Sequence, residues 1–267
     1  MSPTRRRFAE AVRSEPVDLP LACLLVGGEV EPELDVDVWL ARLDALAASA
    51  RPLVPPGCSP AVAADGLRRA LGEQAGFGGS AQDYQDVRSS LLHEVLRRGR
   101  GLPLLLSVVW LAVAARLDLA AYAVALPGHV AVVIGDPEDS HVLVDPFAGG
   151  RLLTATDLGS TGGLELAPMA PTDLLVRLLT NIRLLTSRQA PGLGVTSTRL
   201  WAVELSLLLP RHPVALRRER GELLVRLGDH LGGAEELETY ALVVEAADEA
   251  EAAVARREAR QARAQLN

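Results

Sequence analysis

The segment Pro103–Ala115, PLLLSVVWLAVAA, has Ser107 as its one polar side chain and stops at Arg116. A helix on a protein surface carries an apolar stripe on one face, whereas one that is apolar all round has to be covered on every side. Proline suits the first helical position, because an N–H there would have no partner within the helix. The run is too short to cross a bilayer. It is therefore expected as a central helix, and the rest of the chain must supply the elements that cover it.

On its C-terminal side the chain reads as strands. AYAVALP (121–127), HVAVVIG (129–135) and HVLVDPF (141–147) are short, rich in Val and bounded by Pro, Gly or Asp. On its N-terminal side the chain reads as helices. Leu19–Val26 is an apolar stretch, and Val36, Leu40, Leu43 and Leu46 recur at helical spacing. Ser59 and Pro60 open a further helix running to about Leu71, and VRSSLLHEVLRRGRG is helical up to Gly99. Helices followed by a meander of strands give an α+β fold rather than an alternating one.

Beyond the loop ATDLGSTGGLELAP there is no strand signal. Helices are expected at about 172–188, 197–209, 213–228 and 232–246, paired as helical hairpins of a solenoid. The expected division is a flexible N-terminus at 1–18, an α+β domain at 19–170, a helical domain at 171–246, and a charged, solvated or frayed helical tail at 247–267.

The net charge of −7 argues against a nucleic-acid partner. Arg5-Arg6-Arg7, Arg97-Arg98 and Arg217-Arg218 are short clusters beside acidic residues, and read as solvated faces. Two cysteines, Cys23 and Cys58, make neither a disulfide framework nor a metal motif. With no secretory leader pattern and no membrane segment, a soluble cytoplasmic protein without cofactor is expected.

In PGHVAVVIGDPEDSHVLVDPFAGG (127–150), alternation puts His129, Ala131 and Val133 on one strand face, and His141, Leu143 and Asp145 on another. A hairpin with Gly135–Asp139 as its loop pairs Ile134 with Ser140 and sets His129 opposite Asp145. A carboxylate on one imidazole nitrogen fixes the tautomer and makes the other more basic, which is the base and orienter of a nucleophilic triad. From spacing alone a structural reading, a satisfied strand histidine beside an Asp-Pro turn, is the favoured one.

The stretch AGFGGSAQDYQDVRSSLLHEVLRRGRGLPLLLSVVWLAVAARLDL, followed by PGH and DPFAGG, resembles the bacterial transglutaminase-like proteins of the SirB family. The likeness runs from about 19 to 246. It implies a papain- or transglutaminase-like core, a buried helix on a short antiparallel sheet, followed by a tetratricopeptide-like helical domain. Catalytic members of this superfamily place a cysteine at the N-terminus of the buried helix, where the dipole and the histidine stabilise a thiolate. Pro103 occupies that place here, as in the Gly-x-Pro of the family pattern. This chain also has Val130, Gly79 and Ser89 where the pattern has Phe, Asn and Asn.

The expectation is thus a vestigial His129–Asp145 dyad in a protein- or peptide-binding module. Its groove would be formed by Gly101, Pro103, Ser107, Pro127, Gly128, Phe147, Gly149 and Gly150. The alternative is a hydrolase or acyltransferase that uses Ser107 or Cys58 as an unusual nucleophile. A metal site joining His129 and Asp145 to His141 or His93 is not expected, because His141 sits at the far end of the hairpin. A regulatory role in gene expression would be indirect, through protein partners.

Overall fold

The computed structural model describes residues 1–154, 156–157 and 167–266. Most of the expected loop at 155–168 lies outside them. The central helix, α6 (Pro103–Arg116), starts on Pro103 and is buried along nearly its whole length. Leu105, Leu106, Val109 and Val113 are fully enclosed, as is Trp110, which meets Phe77 edge to face at 6.3 Å. Burying each such side chain contributes about 1.5–3 kcal/mol, so α6 is the main organiser of the core.

One side of α6 is covered by an antiparallel meander, β1 (Ala121–Leu126), β2 (His129–Gly135), β3 (His141–Asp145) and β4 (Arg151–Leu153), in that order. The sequence does not announce β4; three residues of RLL carry too little pattern. Val130, Val132, Ile134 and Val144 join the α6 core, while Ala131, Val133 and Leu143 form a smaller cluster on the other face with Val124. Alternation thus sorts the strands as their sequence requires.

The hairpin register corrects the expected one. Ile134 pairs with Val142 and Gly135 with His141. The loop sits one residue later, because Gly135 adopts φ +110° and Asp136 closes the turn by accepting the Glu138 N–H at 2.9 Å. The pairing moves by two residues, so each side chain keeps its face. In this register Asp145 lies across from Ala131, diagonal to His129.

The other helices surround the remaining sides: α1 (Pro3–Ala11), α2 (Leu19–Gly27), α3 (Val36–Ala50), α4 (Pro60–Leu67) and α5 (Leu92–Arg98). α4 continues as a π-helical turn to Gln74, and 3-10 turns at Ala81–Gln85 and Val87–Ser90 precede α5. Gly99 ends α5 in the left-handed conformation at φ +67°. The N-terminus, expected to be flexible, is instead a docked helix. Ser2 caps α1, Phe8 is fully buried, and Arg5 pairs with Glu29 at 2.6 Å and Glu204 at 2.5 Å.

Among the described residues, five helices follow the sheet: α7 (Pro171–Ser187), α8 (Leu193–Leu208), α9 (Ala215–Arg226), α10 (His230–Val244) and α11 (Glu249–Ala264). In place of the expected domain break near 171, packing is continuous. Leu174, Leu175, Leu178, Leu179 and Ile182 of α7, with Trp201, Ala202 and Leu205 of α8, belong to the same core as α6. The tail, expected to be solvated or frayed, is a packed helix. Ala252, Ala255, Ala259 and Ala262 are buried at helical spacing, and small side chains let α11 lie close against α10.

Candidate functional site

Oδ1 of Asp145 lies 2.8 Å from Nε2 of His129, and it also accepts the Phe147 N–H at 2.9 Å. The carboxylate therefore caps the 3-10 turn Pro146–Ala148 while it orients the ring. Burial alone would raise the Asp145 carboxyl. The bond to His129 and the N–H groups of Ala148 and Phe147 outweigh it and hold the group below the usual carboxylate range. Nδ1 of His129 has no hydrogen-bond partner in the protein among the described residues.

Phe147 props the imidazole from the side, edge on at 6.0 Å, and packs against Tyr84 at 5.8 Å. Its position depends on the glycine loop. Gly79 donates its N–H to the Phe147 carbonyl at 2.9 Å, and a Cβ at position 79 would fall 1.9 Å from the Phe147 ring. The same wall is fastened by Asp83, which is buried and bonded to Ser80, Ser89 and Arg100. Arg98 joins Asp86 at 3.2 Å to Glu94 at 3.3 Å. The segments Tyr84–Asp86 and Val95–Arg98 are thus the bracing of the wall that faces His129.

His129 opens onto a cleft of about 420 Å³ whose floor includes Leu102, Pro103 and Leu104 at the start of α6. Of the groove candidates, Pro103 and Gly128 line it. Gly101, Ser107, Pro127, Phe147, Gly149 and Gly150 are not part of its lining. Gly101 is pressed against Val95, Gly149 lies against Gly72, and Gly150 packs on Arg68, so these glycines serve close packing. Ser107 is fully buried and donates to the Val130 carbonyl at 3.4 Å, not to His129.

Neither thiol is near the imidazole. Cys58 precedes α4, whose Pro60 would touch a Cβ at Gly135, at the opposite end of β2 from His129. Seven strand residues span roughly 20 Å. Cys23 is buried in α2, and burial pushes its thiol well above the ordinary range. His141 pairs with Gly135 at that same far end, and His93 is buried beside Glu31 and Trp39. No grouping of three metal-ligating side chains occurs among the described residues.

The sequence reading does not anticipate the other wall of the cleft. Arg177, Asn181, Leu184, Leu185 and Arg188 come from α7 and its C-cap, and Tyr84 and Ser90 come from the turns before α5. The spacing i, i+4, i+7, i+8, i+11 is one helix face. It is legible as a stripe, but placing α7 in a separate domain hides what it faces. Arg177 fixes this wall to the strand by donating to the His129 carbonyl at 3.2 Å.

A central helix bearing a sheet, with a His–Asp pair at the helix tip, defines a transglutaminase-like architecture. The chain belongs to the transglutaminase-like superfamily, whose profile matches residues 37–183; a tetratricopeptide-repeat profile matches 195–267. It is similar to a UPF0162 protein of Xylella fastidiosa (strain Temecula1), 29% identical over 250 residues, covering 86% of this chain and 85% of that one. It is also similar to a UPF0162 protein of Pseudomonas aeruginosa, 30% identical over 211 residues, covering 75% and 77%. The tetratricopeptide match includes α11, in keeping with its packing. Among the described residues, no helix is long and apolar enough to cross a membrane.

Proposed function

We propose that this protein is a non-catalytic transglutaminase-like module that binds a protein or peptide in the cleft beside His129. The helical repeat would offer a second binding surface, as stacked helical hairpins do. The observation that carries this reading is the pairing of an oriented imidazole with Pro103. The ring's second nitrogen has no protein partner among the described residues, and the cleft that the ring lines carries, at the start of α6, a pyrrolidine in place of a thiol. The order of the Pro-Gly-His and Asp-Pro-Phe-x-Gly-Gly blocks supports placing the chain among the SirB-type proteins, and its free thiols suit the reducing cytoplasm.

The competing hydrolase reading lacks geometric support, since Ser107 is engaged with a strand carbonyl and Cys58 lies at the wrong end of the sheet. Two measurements test the proposal. Serine- and thiol-directed probes should give no labelling that depends on His129. A photocrosslinking residue at Leu184 should join a defined partner, and a bulky substitution at Leu185 should abolish that crosslink. Labelling of Ser107 or Cys58 that disappears in His129→Ala would replace binding with catalysis.

A further inference from the structure

The cleft beside His129 carries basic side chains and, among the described residues, no carboxylate in its lining. The chain carries a net charge of −7, yet no Asp or Glu lines the cleft among its described residues. What lines it is Arg177, Arg188, His129 and the first turn of α6, where backbone N–H groups have no partner inside the helix and the dipole is positive. Neither Arg177 nor Arg188 has a carboxylate partner among the described residues. Arg183, on another face of the same helix, is paired with Glu219.

A second, independent feature points to a ligand. Ser90 also lines the cleft; it is 1% exposed, and its hydroxyl has no hydrogen-bond partner among the described residues. A buried hydroxyl left unpaired costs about 1–3 kcal/mol, and most such groups in folded proteins have a partner. Near the α6 tip, a catalytic relative would carry a thiolate, a negative charge held by the helix dipole and the imidazole. Here the positive surroundings remain and the built-in anion is gone.

We infer that the cleft binds a peptide carboxylate at the tip of α6, in the place a thiolate would occupy, with the peptide chain lying along α7. This rests on the proposed binding role and names its ligand class. The carboxylate accepts hydrogen bonds from the Ser90 hydroxyl and the Leu104 N–H, with the Arg177 guanidinium alongside. The chain then passes Leu184 towards Arg188. Arg177 and Arg188 are 11 residues apart on the helix path, roughly 16 Å at 1.5 Å per residue, the reach of about five extended residues. The cleft volume falls in the range of sites that hold small ligands. Two sources supply the group, a free C-terminus or a Glu or Asp side chain.

The test is fluorescence anisotropy on the full chain with fluorescein-labelled Ala-Leu-Val-Leu-Ala as the free acid. The comparisons are the same peptide amidated, and an amidated form ending in Glu. The free acid or the Glu peptide should bind about tenfold more tightly than the plain amide, as a charge-assisted hydrogen bond provides. That difference should shrink as ionic strength rises. Which of the two acids binds distinguishes chain-terminal from side-chain recognition. Ser90→Ala should weaken acid binding several-fold without lowering the melting temperature, because it removes no existing bond; Arg177→Gln should reduce it further. Equal binding of acid and amide would overturn the carboxylate assignment and leave a binding cleft in place. Binding of none of the peptides would also overturn it, while the Leu184 crosslink decides the cleft reading separately.

Discussion

Asp145 does not stand opposite His129 in the sheet; it reaches the imidazole diagonally, across one residue pair, and still closes a 2.8 Å contact to Nε2. The diagonal works because Asp145 is the last residue of β3 and the chain turns at Pro146, which lets the carboxylate lean towards the strand start. The same oxygen caps the turn that carries Phe147. Ring orientation and turn geometry are therefore set by one carboxylate.

Asp145→Asn keeps the cap and removes the charge. Because the folded state holds this carboxyl below its usual range, its stabilising contribution is fully present above the unfolded value of about 3.9 and is lost as pH falls through the lower folded value. The variant should be about 1–2 kcal/mol less stable than the wild type at pH 7. The two urea-melt midpoints should converge in acid. A constant difference at all pH values would mean the charge is not what matters.

Phe147 and Gly79 form a second coupled pair. A Cβ at 79 cannot share space with the Phe147 ring, so Gly79→Ala must move the ring away from His129. A cost of about 1–3 kcal/mol is expected for such overpacking. The diagnostic readout is the imidazole proton shift in NMR, which the edge-on ring controls. An unchanged shift would show that the loop, rather than the ring, gives way.

Glu219 of α9 receives Arg183 from α7 and Arg199 from α8, the latter at 2.7 Å. Burial would raise its carboxyl, but the two guanidinium groups hold it below the ordinary range. Glu219→Ala leaves two half-buried cations facing each other. We expect a loss of about 2–3 kcal/mol, part of the cost known for breaking more deeply buried pairs. Hydrogen exchange should speed up in α9 and α10 before it does in α6. Uniform acceleration would show that the repeat and the core unfold as one unit.

Much of this architecture is legible in the sequence because its signals are local. The all-round apolar α6 and the Val-rich strands each carry their own period, and parity within the hairpin survives an error in register because alternation repeats every two residues. What is not legible depends on long-range packing. A docked α1 follows from Phe8 joining the core and from Arg5 finding partners in the turn after α2 and on α8. The alanine stripe of α11 looks merely charged until its partner helix is present. The basic wall of the cleft belongs to a helix that the sequence pattern assigns to another domain, and only folding brings Arg177 to the carbonyl of His129.

The absent nucleophile can be supplied to ask whether the surroundings still suit it. Pro103→Cys sets a thiol at the first position of α6, next to unpartnered N–H groups and in the cleft that His129 lines. Such a thiol should ionise below the free-cysteine value of about 8.5, since helix N-termini and neighbouring imidazolium both favour the thiolate. In a Cys58→Ser background, Cys23 stays silent because it is buried and its thiol is pushed up. The pH dependence of iodoacetamide alkylation at position 103 then reports the new thiol alone. Adding His129→Ala should move the midpoint upwards, because the imidazole no longer shares the charge. A profile that matches a free thiol and ignores His129 would mean that the cleft has drifted too far from the catalytic arrangement for its His–Asp pair to reach the helix tip.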